Sequence, residues 1–261
     1  MPAPEPPRLY HAASSYYSMI ARLALIEAGR PFTPVKLDIH RRMAQFEPAY
    51  ARLNPNMTVP TLVLESGLLS DSRLILFHAF GRAEDQADDA TRRLVALQYD
   101  FPIDELTFSW LLRRNPLARR FVPGKLAAAE RRLRTLAEAH PDLADLYRRR
   151  AAVFAARIRT FDPHAVAALY DERRTAALTL LDVIENELDD GRAVLVPPSY
   201  GPADVVWTVF LARMRFIRLH GELARRPSVS RYYAAMAALP SFTAADIWPS
   251  LNPLKLIRQM F

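Results

Sequence analysis

Along residues 8–80 the spacing of apolar and polar positions changes type repeatedly. Leu9 and Tyr10 form a short apolar run, residues from about Ser18 to Ala28 recur at helical spacing, PFTPVKLDI reads as extended, and a polar helix-like piece follows. Val59 to Leu64 and Gly67 to Leu69 flank the turn Glu65-Ser66-Gly67, which predicts a β-hairpin, and Ser70 to Phe80 predicts a helix after it. The predicted order is βαβαββα, which suits a four-stranded sheet because a crossover helix links parallel strands and a tight turn links antiparallel ones.

After Gly81 the small, acidic segment GRAEDQADD reads as a linker. Helical spacing then recurs over Arg93–Leu112, Leu126–Ala139, Leu143–Ile158, Ala165–Leu188, Val205–Leu219 and Val229–Leu239. Breaks are expected at Pro116, Pro123, Pro141, Pro163, Pro197-Pro198, Pro227 and Pro240. The predicted class is therefore α+β, with an N-terminal domain over 1–82, a linker over 83–90 and an all-α domain over 91–261.

Composition narrows the possibilities. No apolar run reaches the roughly 18 residues that suggest a membrane span, so a soluble chain with no membrane partner is expected. The opening MPAPEPPRLY lacks the basic region and apolar stretch of a secretory signal and reads as a disordered lead-in. The chain has no cysteine, which excludes disulfides, thiolate metal sites and a cysteine nucleophile, and it suits a reducing cytoplasm. The net charge of +7 comes mostly from arginine clusters within helical sequence, interleaved with acids. They read as solvated helix faces, and no nucleic-acid motif accompanies them, so no nucleic-acid partner is expected. The six histidines show no metal-ligand spacing, and no metal is expected.

Two short motifs carry chemistry. In Asn54-Pro55-Asn56-Met57-Thr58-Val59-Pro60-Thr61-Leu62 a proline opens a strand and cannot donate to its ladder. If the Val59-Pro60 bond is cis, the Val59 amide and carbonyl can grip an extended peptide by β-augmentation. Asp71-Ser72 opens the next helix, where free amides favour a carboxylate and the Asp71 side chain suits an ammonium. A γ-glutamyl group offers both charges on one carbon, and glutathione is such a peptide. Its thiol has a free pKa of about 8.5 and needs a donor to react as thiolate near neutrality. Ser14, Ser15 and Ser18, with Tyr10, Tyr16 and Tyr17 nearby, supply hydroxyls where the first strand ends.

These residues resemble the glutathione S-transferase pattern, an N-P-x-x-x-V-P-x-L loop before a hairpin and an acidic-Ser pair. The likeness covers the whole chain and implies a thioredoxin-like N-terminal domain that binds glutathione, followed by a helical domain that forms the electrophile pocket. It carries over Val59, Pro60, Asp71 and Ser72 as glutathione contacts, with Asp71 standing where Glu is commoner. Laid on serine-type transferases, the activating serine falls on Ser15, with Ser14 and Ser18 as alternates, and Gln45 takes the place of a polar residue reaching the glycyl carboxylate. Tyr17, Phe108, Trp110, Trp207 and Phe210 are candidate walls of the electrophile pocket, with core packing as the competing reading.

Tyr200-Gly201-Pro202-Ala203-Asp204 resembles the family's capping box, with Gly201 in place of the hydroxyl residue. The stretch from Ala139 to Val205 is similar to the bacterial β-aryl-etherase branch, and also to the ganglioside-induced differentiation-associated branch. The resemblance implies a glutathione transferase acting on an aromatic electrophile, with β-aryl ether cleavage of lignin-derived compounds as the leading reading. It also implies a homodimer, or a heterodimer with a related transferase. The alternatives are a glutathione-binding but catalytically silent subunit of a transferase heterodimer, and a peroxidase or reductive enzyme on the same scaffold.

Overall fold

A computed structural model describes residues 5–250; the first residues of the proline-rich lead-in lie outside the described residues. By contact the chain forms two units that interleave along the sequence, whereas the sequence reading divides it linearly. The first comprises 1–38, 59–101 and 178–261, and the second 39–58 and 102–177.

The first unit holds a four-stranded mixed sheet in the order β2-β1-β3-β4. Strand β1 (Arg8–His11) pairs in parallel with β2 (Thr33–Lys36), placing Leu9 opposite Pro34. On its other side it pairs antiparallel with β3 (Thr61–Leu64), placing Leu9 opposite Leu62, and β4 (Gly67–Leu69) closes the hairpin with Leu62 opposite Leu69. Gly67 has φ of 144°, a conformation that a Cβ would strain, which is why glycine ends this turn. Helix α1 (Tyr16–Glu27) crosses over between β1 and β2 and packs against α3 (Ser72–Ala79), and Ile20 and Leu23 of the one and Ile75 and Leu76 of the other are all buried. With α2 (Pro48–Leu53), which belongs by contact to the second unit, between β2 and β3 along the chain, the observed order is βαβαββα, the thioredoxin-like arrangement.

Helix α4 (Asp89–Tyr99) and α9 (Pro202–Phe216) complete the core of this unit, with α10 (His220–Ala224), α11 (Pro227–Ala238) and α12 (Pro240–Ala244) beside them. Every residue of α9 from Pro202 to Met214 is buried, the mark of a helix enclosed on all sides. Pro202 takes its first position, where a missing N–H costs nothing. The Gly201 amide donates to Asp204 Oδ2 at 3.0 Å, the half of the capping box that the sequence retains. Asp204 is fully buried, and its Oδ1 also accepts from the Leu195 amide and the Tyr232 hydroxyl, each at 2.8 Å.

The second unit is built on α5 (Ile103–Arg114), α6 (Pro116–Ala139) and α7 (Ala144–Thr160). Its core joins Phe46, Met57, Leu133 and Tyr147, and the Tyr147 hydroxyl donates to the Phe46 carbonyl at 2.9 Å. A second cluster gathers Leu112, Phe161 and Val166 with Phe108, Val122 and Leu126. The chain passes from the second unit to the first within α8 (Val166–Glu187).

Two breaks differ from the sequence reading. The helix expected over Arg93–Leu112 is split between α4 and α5 at Phe101-Pro102, because Pro102 cannot continue α4 and instead caps α5. Conversely, Pro123 lies inside α6 without ending it. Val122 and Leu126 pack into one core cluster, and Ala129, Leu133 and Ala137 into the other, so packing on both sides of the proline holds the helix together.

Candidate active site

The loop from β1 into α1 carries the serine cluster. Ser15 caps α1 in an extended conformation, and its Oγ accepts from the Ser18 amide at 3.3 Å while its own amide donates to the Ala12 carbonyl at 3.1 Å. As an acceptor in the cap, the Ser15 hydroxyl keeps its proton for another partner. Ser14 and Ser15 are half-buried, whereas Ser18 is 0% exposed and its Oγ accepts from the Ala12 amide at 3.4 Å. A wholly enclosed hydroxyl of this kind fixes the loop and has no face toward a ligand.

Arg22, which the sequence reading passed over, holds this loop from behind. Its Nη1 donates to His11 Nδ1 at 3.1 Å and to the Ala12 carbonyl at 3.4 Å, and its Nη2 to the Ala13 and Asp246 carbonyls at 3.3 and 3.1 Å. Nε donates to the Ala245 carbonyl at 2.7 Å. Burial lowers the Arg22 pKa to about 10, which still leaves the group charged at neutral pH. The signal was an arginine set in the apolar helix MIARLALI.

Because arginine only donates, His11 Nδ1 accepts, which places the ring proton on Nε2. Burial first, then the charges of Arg22 and Lys36, hold His11 down at about 4 from the ordinary 6.5, against an opposing pull from Asp246. The unfolded chain therefore binds a proton that the folded chain refuses between those two values. The His11 contribution to stability is complete above about pH 6.5 and is lost as pH falls toward about 4. Denaturant unfolding is expected to show a loss of about 2 kcal/mol between pH 7 and pH 5 that is reduced in His11→Gln; an equal loss in the variant would remove His11 as the cause.

The Val59-Pro60 bond is cis, the condition set by the sequence reading. Among the described residues the Val59 amide and carbonyl make no backbone hydrogen bond. The preceding loop is fixed by Asn54 and Tyr50: the Thr58 carbonyl accepts from Asn54 Nδ2 at 3.0 Å and from the Tyr50 hydroxyl at 2.6 Å, and Asn54 Oδ1 accepts from the Asn56 amide at 3.0 Å. This is the physical work of the asparagine in the motif, which the sequence alone did not reveal.

Asp71 caps α3, with Oδ1 accepting from the Arg73 amide at 2.7 Å. Ser72 is buried, and its hydroxyl lies 2.9 Å from the Tyr99 hydroxyl at the end of α4. Tyr99 in turn stacks on Tyr17 of α1 with centroids 6.0 Å apart, and the Arg73 guanidinium sits 5.6 Å over its ring. Burial raises the Tyr99 hydroxyl well above its ordinary range, so it stays protonated and can donate. Tyr99 thereby brings the first turns of α1 and α3 to one ring, a link no sequence spacing announces.

The remaining predicted residues scatter. Trp207 and Phe210, expected at the electrophile pocket, are 0% exposed in the core of the first unit. Trp207 Nε1 donates to the Leu94 carbonyl at 3.0 Å, and Phe210 meets Phe101 and Trp207 edge to face. They offer no surface to a ligand, because α9 is enclosed on all sides. Trp110 is nearly buried, and Phe108 packs beside Phe161 with the Arg157 guanidinium 5.3 Å over it. Gln45 is buried in a 3-10 turn in the second unit, where Nε2 donates to the Ile39 carbonyl at 3.5 Å and Oε1 has no hydrogen-bond partner among the described residues. Among the described residues no group of three or more histidines and carboxylates stands close enough to hold a metal ion.

The site is framed by a thioredoxin-like sheet, two helix N-termini joined through Tyr99 and a cis-proline loop before the hairpin. Residues 9–87 match the N-terminal domain of glutathione S-transferase. The chain is 30% identical over 250 residues to the tetrachloro-p-hydroquinone reductive dehalogenase of Sphingobium chlorophenolicum, a match covering 93% of this chain and 96% of that protein. The chain belongs to the glutathione S-transferase superfamily. The same fold occurs in a transferase family member from Pseudomonas fluorescens solved with two glutathione bound, at TM-score 0.65 and 16% identity over 95% of both chains. It occurs too in a Methylobacterium radiotolerans glutathione S-transferase in complex with glutathione sulfonate, at TM-score 0.61 and 20% identity over 94% of this chain and 97% of that one.

Proposed function

We propose that the Ser15 hydroxyl stabilises the thiolate of bound glutathione for attack on an electrophilic carbon of a hydrophobic aromatic compound, with β-aryl ether cleavage as the preferred reaction. The observation that carries this reading is the cap geometry, in which Ser15 accepts from the Ser18 amide and keeps a donatable proton on a half-buried side chain. The unpaired Val59 backbone supports peptide pairing at Val59-Pro60, and Asp71 and Ser72 suit the γ-glutamyl charges. Gln45 is assigned to the glycyl carboxylate through the second N–H of Nε2, the first of which donates to the Ile39 carbonyl. Tyr17 is the aromatic residue of the proposed electrophile wall nearest the serines in sequence. In this reading residues 1–82 bind glutathione and 91–261 receive the electrophile. The chain works in the cytoplasm, where thiols stay reduced, as a homodimer or beside a related transferase.

In the ether reaction the sulfur forms a carbon–sulfur bond, the carbon–oxygen bond breaks, and the aryloxide leaves to take a proton from water. Nothing is oxidised. The similarity to a reductive dehalogenase favours a second reading, in which the carbon loses halide to the thiolate and the thioether is then reduced. That second step needs another thiol; the chain has no cysteine, so a second glutathione would supply it and leave as the disulfide. Incubation with glutathione and both configurations of a β-aryl ether ketone is expected to release phenol and a glutathione thioether in equal amounts. Chloride and glutathione disulfide from a chlorinated hydroquinone, without ether cleavage, would favour the second reading. Retention on immobilised glutathione with no turnover of either substrate would leave the silent-subunit alternative.

A further inference from the structure

The positive charge is not spread over the molecule. The second unit carries 18 Lys and Arg against 10 Asp and Glu, while the first carries 17 against 18, so the whole excess belongs to the second. Within it, the 24 residues from Leu106 to Ala129 contain Arg113, Arg114, Arg119, Arg120 and Lys125 and no acid.

Helix α6 presents two opposed stripes over this stretch. Val122, Leu126, Ala129, Leu133 and Ala137 face the two cores. Leu117, Arg120, Phe121 and Lys125, at i, i+3, i+4 and i+8, fall on the other side. Leu117 is 66% and Phe121 58% exposed, the two most exposed large apolar side chains among the described residues. Arg114, Arg120 and Lys125 are exposed and form no ion pair with other described residues. The nearby carboxylate Asp171 is taken by Arg113, whose guanidinium also lies over the Tyr170 ring, and Arg119 donates to the carbonyls of Leu112 and Arg113.

We infer that the outer stripe of α6 is a docking surface for an anionic phospholipid bilayer, with Leu117 and Phe121 entering the interface and Arg120 and Lys125, with Arg114 at the C-terminal end of α5, meeting the headgroups. Two apolar tips on successive turns, framed by unpaired cations, match the amphipathic pattern of interfacial helices. A nucleic acid would use the cations but has no place for Leu117, and one phenylalanine makes no stacking platform. A second copy of the chain would set like charges against each other. The surface is peripheral: no helix among the described residues is long and apolar enough to cross a membrane.

The test is co-sedimentation of the full chain with vesicles of phosphatidylcholine containing about a third phosphatidylglycerol, against phosphatidylcholine alone. Partitioning is expected to be at least about tenfold stronger with the anionic lipid and to weaken with salt. Arg114→Gln, Arg120→Gln and Lys125→Gln together should lower it about a hundredfold, at about 1 kcal/mol for each charge. Leu117→Ser with Phe121→Ser should lower it about tenfold or more at unchanged circular dichroism. Equal partitioning to both vesicles, or variants that bind like the parent, would overturn the inference. So would duplex DNA binding, or self-association in light scattering, that the same variants abolish while vesicle binding is absent.

Discussion

Ser15→Ala is expected to lower kcat/KM for glutathione conjugation by about a hundredfold or more, the usual cost of removing one donor aimed at a developing or stabilised anion. The hydroxyl caps α1 in the structure, and the proposed thiol contact is a second role that the measurement separates from the first. As the cap of α1 it accepts from the Ser18 amide, and losing a cap costs about 1 kcal/mol of stability. As the proposed thiol donor it sets the fraction of thiolate, so its loss should also move the acid limb of the pH profile toward the free thiol value of about 8.5. A structural role alone leaves that limb in place. Ser15→Thr, which keeps the hydroxyl, should recover part of the rate. Ser18→Ala should reduce stability through the Ala12 contact and leave the pH profile alone. An unshifted profile and an intact rate in Ser15→Ala would refute the assignment.

Asp204→Ala is expected to cost roughly 3–5 kcal/mol, a large share of the 5–15 kcal/mol that holds a typical protein folded. The carboxylate is fully buried and accepts from two backbone amides, Leu195 and Gly201, and from the Tyr232 hydroxyl. Alanine removes the acceptor and leaves three donors unpaired, of which the Leu195 amide and the Tyr232 hydroxyl are enclosed and cost about 1–3 kcal/mol each, while the Gly201 amide is half-buried. In thermal unfolding the loss should appear as a drop of about 10 °C in Tm. Asp204→Asn keeps the shape and one acceptor oxygen and should lose less. A change below about 1 kcal/mol in the alanine variant would mean that water replaces the carboxylate, contrary to its burial.

The fold was legible where local chemistry decides. The hairpin was announced by Glu65-Ser66-Gly67, and the half capping box by Pro202 and Asp204 three residues after Gly201. Prolines divided less cleanly, because Pro102 breaks a helix and Pro123 sits inside one. Around Pro123 the two core clusters hold the helix on both sides of the ring. The site was legible only in part. Ser15 and Asp71 cap helices by short-range rules, but Tyr99 reaches Ser72 across 27 positions, and the partners of Arg22 include carbonyls more than 220 positions away. No periodicity encodes such meetings. Trp207 and Phe210 were drawn toward the pocket because an aromatic on a helix looks the same in sequence whether its helix is half or wholly enclosed.

The five contacts of Arg22 match its five N–H groups, and they tie the loop before Ser15 to the turn at Ala245-Asp246. For recombination this joins two distant parts of the gene product into one inherited block. A chimera that takes its C-terminal portion from a relative keeps the serine loop in place only if the donor bends its backbone to offer the same two carbonyls. No lysine at position 22 can take over, since three donors on one nitrogen do not span that set.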